Sequence, residues 1–250
     1  MRYCSSLSLL VFILVMWSPP TFQSKGGPVV GSTTEVVEKQ ETTADSACLP
    51  DTDVLAGIEK IAFGETDTEQ QAAVDLLRDN AKRSPTCRMQ VITAMINAME
   101  RKGVDLRAGG SSFFLWHYGT RLLTDLKAVE ALDLFISRID LDDGTPFPLN
   151  HHPAINGVCD FGELAIPKLG DVLMHNPDSK KRTYAVFCIG EIGGHAAKRV
   201  LEQALLSETD PCVMTSVKAL LKAFNNQTKP NHMTTKGRSE WYPTFLCAID

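Results

Sequence analysis

The sequence predicts an all-α fold built as a stack of antiparallel helical hairpins. Three observations carry that prediction. Alternation of period two never persists, so no strand is expected. Apolar residues recur every three to four positions, in segments bounded by capping residues and glycines. Two consecutive segments also repeat. Ala165 falls on Ala197, Leu169 on Leu201, Leu173 on Leu205, Asp178 on Asp210, Ala185 on Val217 and Ile189 on Leu221, each pair 32 residues apart. A fixed period that carries the same apolar and Asp positions marks stacked helical hairpins.

Taken in order, the chain begins with Arg2 and the apolar run Leu7 to Trp17, closed by Pro19 and Pro20. The run falls short of the roughly 20 residues a bilayer span needs and suits a signal peptide. Small residues at Ser24 and Gly26 place the expected cleavage after Gly26, the alternative being an uncleaved N-terminal anchor, so the product is expected to be exported, periplasmic or extracellular. Residues 27–47 are rich in Thr, Glu, Ser and Gly and hold no aromatic residue. They bury too little apolar surface to offset chain entropy and are read as a disordered spacer.

Residues 48–226 are read as the helical array. The first helix, "DTDVLAGIEKIAFG", sets Val54, Leu55, Ile58 and Ile61 at helical spacing and stops at Gly64. The second, "DTEQQAAVDLLRDNAKR", presents Ala73, Leu76 and Leu77. The third opens with Ser84 as N-cap and Pro85 at the first helical position, and stops at Gly103. "SSFFLWHYGTRLL" follows, with Phe113, Trp116 and Leu123 assigned to the core and His117 or Tyr118 left to line a surface. One further helix is expected over "DLKAVEALDLFISRI", and an irregular loop from Asp140 to Pro153, whose prolines and glycine exclude a helix. Residues 227–250 lack helical period and form an irregular tail. Its Trp241, Tyr242, Phe245 and Leu246 are available to cap the last hairpin.

The stretch "CIGEIGGHAAK" places three glycines where helix is otherwise expected, at a cost near 1 kcal/mol each relative to alanine. Gly190 and Gly193, three apart on one face, permit close approach of a neighbouring helix, and Gly193 or Gly194 adopts positive φ to end one helix before the next begins. Asp178 is the expected N-cap of the glycine-ended helix, with Arg182 placed to pair with it. Fainter copies of the repeat lie upstream, at Ala128, Leu132 and Ile136 and in "CDFGELA", where Phe161-Gly162-Glu163 matches Ile189-Gly190-Glu191.

The pattern Ala-x-x-x-Leu-x-x-x-Leu, then Asp, then Arg-x-x-Ala-x-x-x-Ile-Gly-x-Ile-Gly resembles HEAT-like repeats, in particular the short bacterial type found in phycobilin lyase subunits. The resemblance covers Ala154 to Phe224 best, Ser112 to Ile139 less well, and Asp51 to Gly103 faintly. It implies a right-handed α-solenoid of four or five hairpins whose concave face, lined by the second helix of each pair, docks a protein or peptide. Exposed positions at helical spacing, Lys168, Asp171, His175, Lys198, Glu202 and Lys222, are the expected contacts. They alternate in sign, which suits a polar protein partner. An alternative implied by the resemblance is an enzyme or lyase-like enzyme accessory subunit. Phycobiliprotein chromophore attachment is intracellular, and the export signal speaks against it.

No catalytic motif supports an enzyme. Neither Gly-x-Ser-x-Gly nor a phosphate loop occurs, and none of the histidines precedes a Glu, as a HEAT-like iron hydroxylase requires. His151 and His152, with Asp140, Asp142, Asp143 and Asp160, fit no metal-loop spacing and are read as a solvated polar loop, so neither metal nor cofactor is expected. Removing residues 1–26 takes away two basic residues and no acid. The formal charge then falls from −5 to −7, which opposes nucleic acid and anionic membrane surfaces as partners. Cys48, Cys87, Cys159, Cys188, Cys212 and Cys247 remain in the mature chain, an even number that permits disulfides in an oxidising compartment. No pairing is singled out, and Cys188 reads equally well as a buried free thiol.

Overall fold

The computed structural model describes residues 47–101, 104–107, 110–141 and 152–225. The expected signal peptide, most of the spacer, the tail, and Asp142, Asp143 and His151 of the long loop lie outside them. The described residues form an all-helical unit without strands. Its ten α-helices are α1 (Asp51–Phe63), α2 (Asp67–Arg83), α3 (Pro85–Met99), α4 (Gly110–Asp125), α5 (Leu132–Ser137), α6 (Pro153–Asp160), α7 (Ile166–His175), α8 (Ser179–Ile192), α9 (Gly194–Ala204) and α10 (Pro211–Asn225).

The local signals act where the sequence places them. Ser84 caps α3 by accepting from the Cys87 N–H at 3.1 Å, with Pro85 in the first turn. Asp178 caps α8, accepting from Lys180 N at 2.8 Å, and its repeat partner Asp210 accepts from Cys212 N and Val213 N at the start of α10. Gly193, at φ +73°, ends α8 and starts α9, with its N–H on Ile189 O. Gly190 lies so close to α10 that a Cβ there would sit 2.8 Å from Leu220 Cδ2. The repeat is therefore physical. Ala165, Ala197, Leu169, Leu201, Leu173, Ala185, Val217 and Ile189 are all buried, while Leu205 and Leu221 are half-buried.

Packing follows two lines. α1 packs on α4, α4 on α6, α6 on α8 and α8 on α10, in one continuous row. Beside it α7 packs on α8 and α9, and α9 on α10. The core runs along this row, from Val54 and Ile61 through Trp116, Phe135 and Val158 to Ile189 and Leu220.

Five expectations are corrected. Leu55 and Leu76 fit the apolar spacing of their helices yet are 56% and 46% exposed, because no neighbouring helix covers those flanks. The single helix expected over Asp125 to Ile139 is broken at Lys127, which takes φ +50°, and resumes through a 3-10 turn, Val129–Ala131, before α5. Arg88 stabilises that break by donating to the carbonyls of Leu126 and Lys127 and to Glu130. Gly162 does not repeat Gly190. It sits at φ +58° and turns the chain, the role that Gly193 plays downstream. Arg182 pairs with Glu208 at 2.9 Å instead of with Asp178, and also donates to the Asn176 and Pro177 carbonyls. His152 is buried at the N-terminus of α6, its ring 6.4 Å from that of Tyr184, and is no part of a solvated loop.

Candidate functional site

The six positions expected to meet a partner fall on three helices. Lys168, Asp171 and His175 lie on α7, and Lys198 and Glu202 on α9, so the α7–α9 packing brings these five to adjacent helices. Lys222 is exposed but lies on α10, at the end of the other row, because the repeat that places Lys198 on a hairpin's second helix places Lys222 on a first one. Five of the six side chains are already partnered. Lys168 bonds Asp133, Asp171 Oδ1 accepts from His175 Nδ1 at 2.9 Å, and Lys198 lies 3.7 Å from Glu202. Exposed pairs of this kind are worth about 0–1 kcal/mol and leave no strong field to recognise a ligand.

The aromatic group on α4 is spent mainly on structure. Trp116 and Leu123 are fully buried, and Phe113 is half-buried with its ring 4.3 Å from His117. Tyr118 is half-buried against α2. Burial and the neighbouring Asp67 carboxylate push its hydroxyl above the ordinary tyrosine value. Among the described residues, no group of three His, Cys, Asp or Glu is placed to hold a metal ion.

The feature that sequence reasoning missed is an apolar groove of about 870 Å³ between α1 and α3. Val54, Ile58, Ala62, Ala94 and Ala98 form its floor, closed from below by Leu115 of α4. Small alanines on both helices leave the floor deep. Leu55, Phe63 and Met89 stand on the rim at 56%, 65% and 41% exposure. Glu59 and Asp51 lie along the α1 side, and Arg101 closes the far end. The signal for it was present in Leu55, an apolar residue at a position the helical period assigns to the core.

One end of the groove is anchored. Cys48 and Cys87 form a disulfide with Cα atoms 5.1 Å apart. Leu49 N donates to Asn80 Oδ1 at 2.9 Å and Leu49 O accepts from Gln90 Nε2 at 2.9 Å, while Arg83 donates to Ala47 O. Gln90 also donates to Asp51 Oδ1, so the start of α1 is tied to both α2 and α3. The disulfide and this network hold α1 and α3 apart at a set spacing, which makes the groove a preformed feature.

In comparison with protein-family models, with curated proteins and with solved structures, nothing matches this chain.

Proposed function

We propose that this chain is an exported, non-catalytic scaffold, a right-handed α-solenoid of HEAT-like hairpins, that binds a protein or peptide partner. The observation that carries the reading is the preformed apolar groove between α1 and α3, with Leu55, Phe63 and Met89 exposed on its rim. Large apolar side chains grouped on a concave surface mark contact sites better than scattered ones. The row α1–α4–α6–α8–α10 supports the solenoid, and the Cys48–Cys87 disulfide supports an oxidising compartment. The groove accepts an amphipathic helix, with apolar side chains on the floor, a basic residue facing Glu59 and an acidic one facing Arg101. The acidic mature chain opposes nucleic acid and anionic lipid.

The test is a pull-down from the exported fraction with three proteins: wild type, a groove variant (Leu55→Ser, Phe63→Ser, Met89→Ser), and a patch variant with charge reversed at Lys168, Asp171, His175, Lys198, Glu202 and Lys222. Circular dichroism first establishes that each is folded. The groove variant is expected to lose the partner while the patch variant keeps it. Loss in the patch variant alone moves the contact surface to α7 and α9, and unchanged capture by both refutes binding through either face.

A further inference from the structure

Two cysteines among the described residues carry free thiols, Cys159 on α6 and Cys188 on α8. They are 29 positions apart in sequence, yet α6 packs directly on α8 and Cys159 is a titratable neighbour of Cys188. Cys159 is half-buried, whereas Cys188 has no exposed surface. The remaining described cysteines are oxidised: Cys48 with Cys87, and Cys212.

We propose that Cys159 and Cys188 form a thiol–disulfide exchange site that takes small-molecule disulfides of the oxidised glutathione class, and that its product is a crosslink between α6 and α8. Exposure sets the order of events. The Cys159 thiolate attacks one sulfur of the disulfide RSSR, so a Cys159–S–S–R bond forms, the S–S bond of RSSR breaks, and RS⁻ leaves and takes up the proton that Cys159 gave up. Cys188 then loses its proton and attacks Cys159 Sγ. The Cys159–Cys188 bond forms, the second RS⁻ leaves, and it is protonated in turn. Two protein thiols are oxidised and one disulfide is reduced to two thiols. Neighbouring thiols on packed helices reach disulfide geometry when their Cα atoms lie within about 7 Å of each other. Cys188 cannot meet the reagent itself. Burial, the neighbouring Cys159 thiol and the nearby Glu191 carboxylate all push its thiol up, so the second step is the slower one and the mixed disulfide on Cys159 precedes the crosslink.

The experiment uses the full folded chain with oxidised glutathione at mildly alkaline pH. The reaction is quenched with acid, free thiols are alkylated in denaturant, and the unreduced digest is analysed by mass spectrometry. In the wild type, the peptides of Cys159 and Cys188 are expected to become linked and both to lose alkylation. In Cys188→Ser, glutathione is expected to remain on Cys159. In Cys159→Ser, Cys188 is expected to stay free and unmodified. Cys188→Ala serves in place of Cys188→Ser if circular dichroism shows the serine variant to be unfolded. A stable glutathione adduct on Cys159 of the wild type, with Cys188 still alkylatable, overturns the proposal. So does a wild type in which neither thiol reacts, or a Cys159→Ser variant in which Cys188 takes up glutathione.

Discussion

Gly157 in α6 gives a sharp test of how the middle of the row is packed. A Cβ built there would lie 2.6 Å from Phe135 Cδ2, 2.7 Å from Cε2 and 2.9 Å from Cγ. All three are ring atoms, so the whole ring must move. Phe135 has no exposed surface and its ring lies 6.4 Å from that of Trp116 and 6.2 Å from that of Phe161, which blocks an easy shift. Overpacking of this kind costs about 1–3 kcal/mol, and replacing a helical glycine with alanine returns about 1 kcal/mol. Gly157→Ala is therefore expected to destabilise the protein by up to about 2 kcal/mol in denaturant unfolding followed by far-UV circular dichroism. A second background isolates the contact. With Phe135→Leu the ring is gone, and Gly157→Ala is expected to be neutral or stabilising by up to about 1 kcal/mol, giving a coupling of at least about 1 kcal/mol between the sites. If Gly157→Ala stabilises the wild type, or the coupling is close to zero, α6 does not approach Phe135 as described.

Three further outcomes are expected. Leu201, fully buried on α9 and the repeat partner of Leu169, costs about 2–5 kcal/mol when changed to alanine. A loss below about 1 kcal/mol in the same assay shows the repeat register to be wrong. Glu208, with 6% of its side chain exposed, accepts from Arg182 and from the Thr209 and Asp210 N–H groups. Glu208→Ala is expected to cost about 3 kcal/mol by leaving the Arg182 guanidinium buried and short of its carboxylate, and retention of wild-type stability refutes the pair's importance. Burial raises the Cys188 pKa above its ordinary value of 9.0, so the native chain holds a proton that the unfolded chain releases. The stability this thiol contributes is complete below that ordinary value and falls as pH rises beyond it. The Tm advantage of wild type over Cys188→Ala is expected to shrink between about pH 8 and about pH 10, with Cys159 and Glu191 as the neighbouring titratable groups. A constant difference refutes the burial argument.

The comparison of sequence with structure divides by range of interaction. Helix positions were legible because their signals act within one turn of chain. Ser84, Asp178 and Gly193 do locally what their chemistry allows, and the boundaries of α1 and α2 follow the spacing of Val54, Ile58, Ala73 and Leu77. The 32-residue repeat was legible because equivalent residues meet equivalent neighbours, so Leu169 and Leu201 are buried alike. The site was not legible to the same degree. The six expected contact residues were chosen for exposure and spacing, and these properties say nothing of the carboxylates that already partner Lys168, His175 and Lys198.

By itself the sequence determined the all-helical class, where most helices begin and end, and that the Gly193-Gly194 pair turns the chain, since caps, periodicity and positive φ are properties of neighbouring residues. Only the tertiary structure decided which faces are covered. It left Leu55 and Leu76 uncovered, opened the groove between α1 and α3, gave Arg182 to Glu208, and set Cys159 beside Cys188 and Cys48 beside Cys87. The pairs Arg182–Glu208, Cys159–Cys188 and Cys48–Cys87 are 26, 29 and 39 positions apart in sequence. A helical period records which residues share a face, and it carries no information on whether another helix comes to lie against that face.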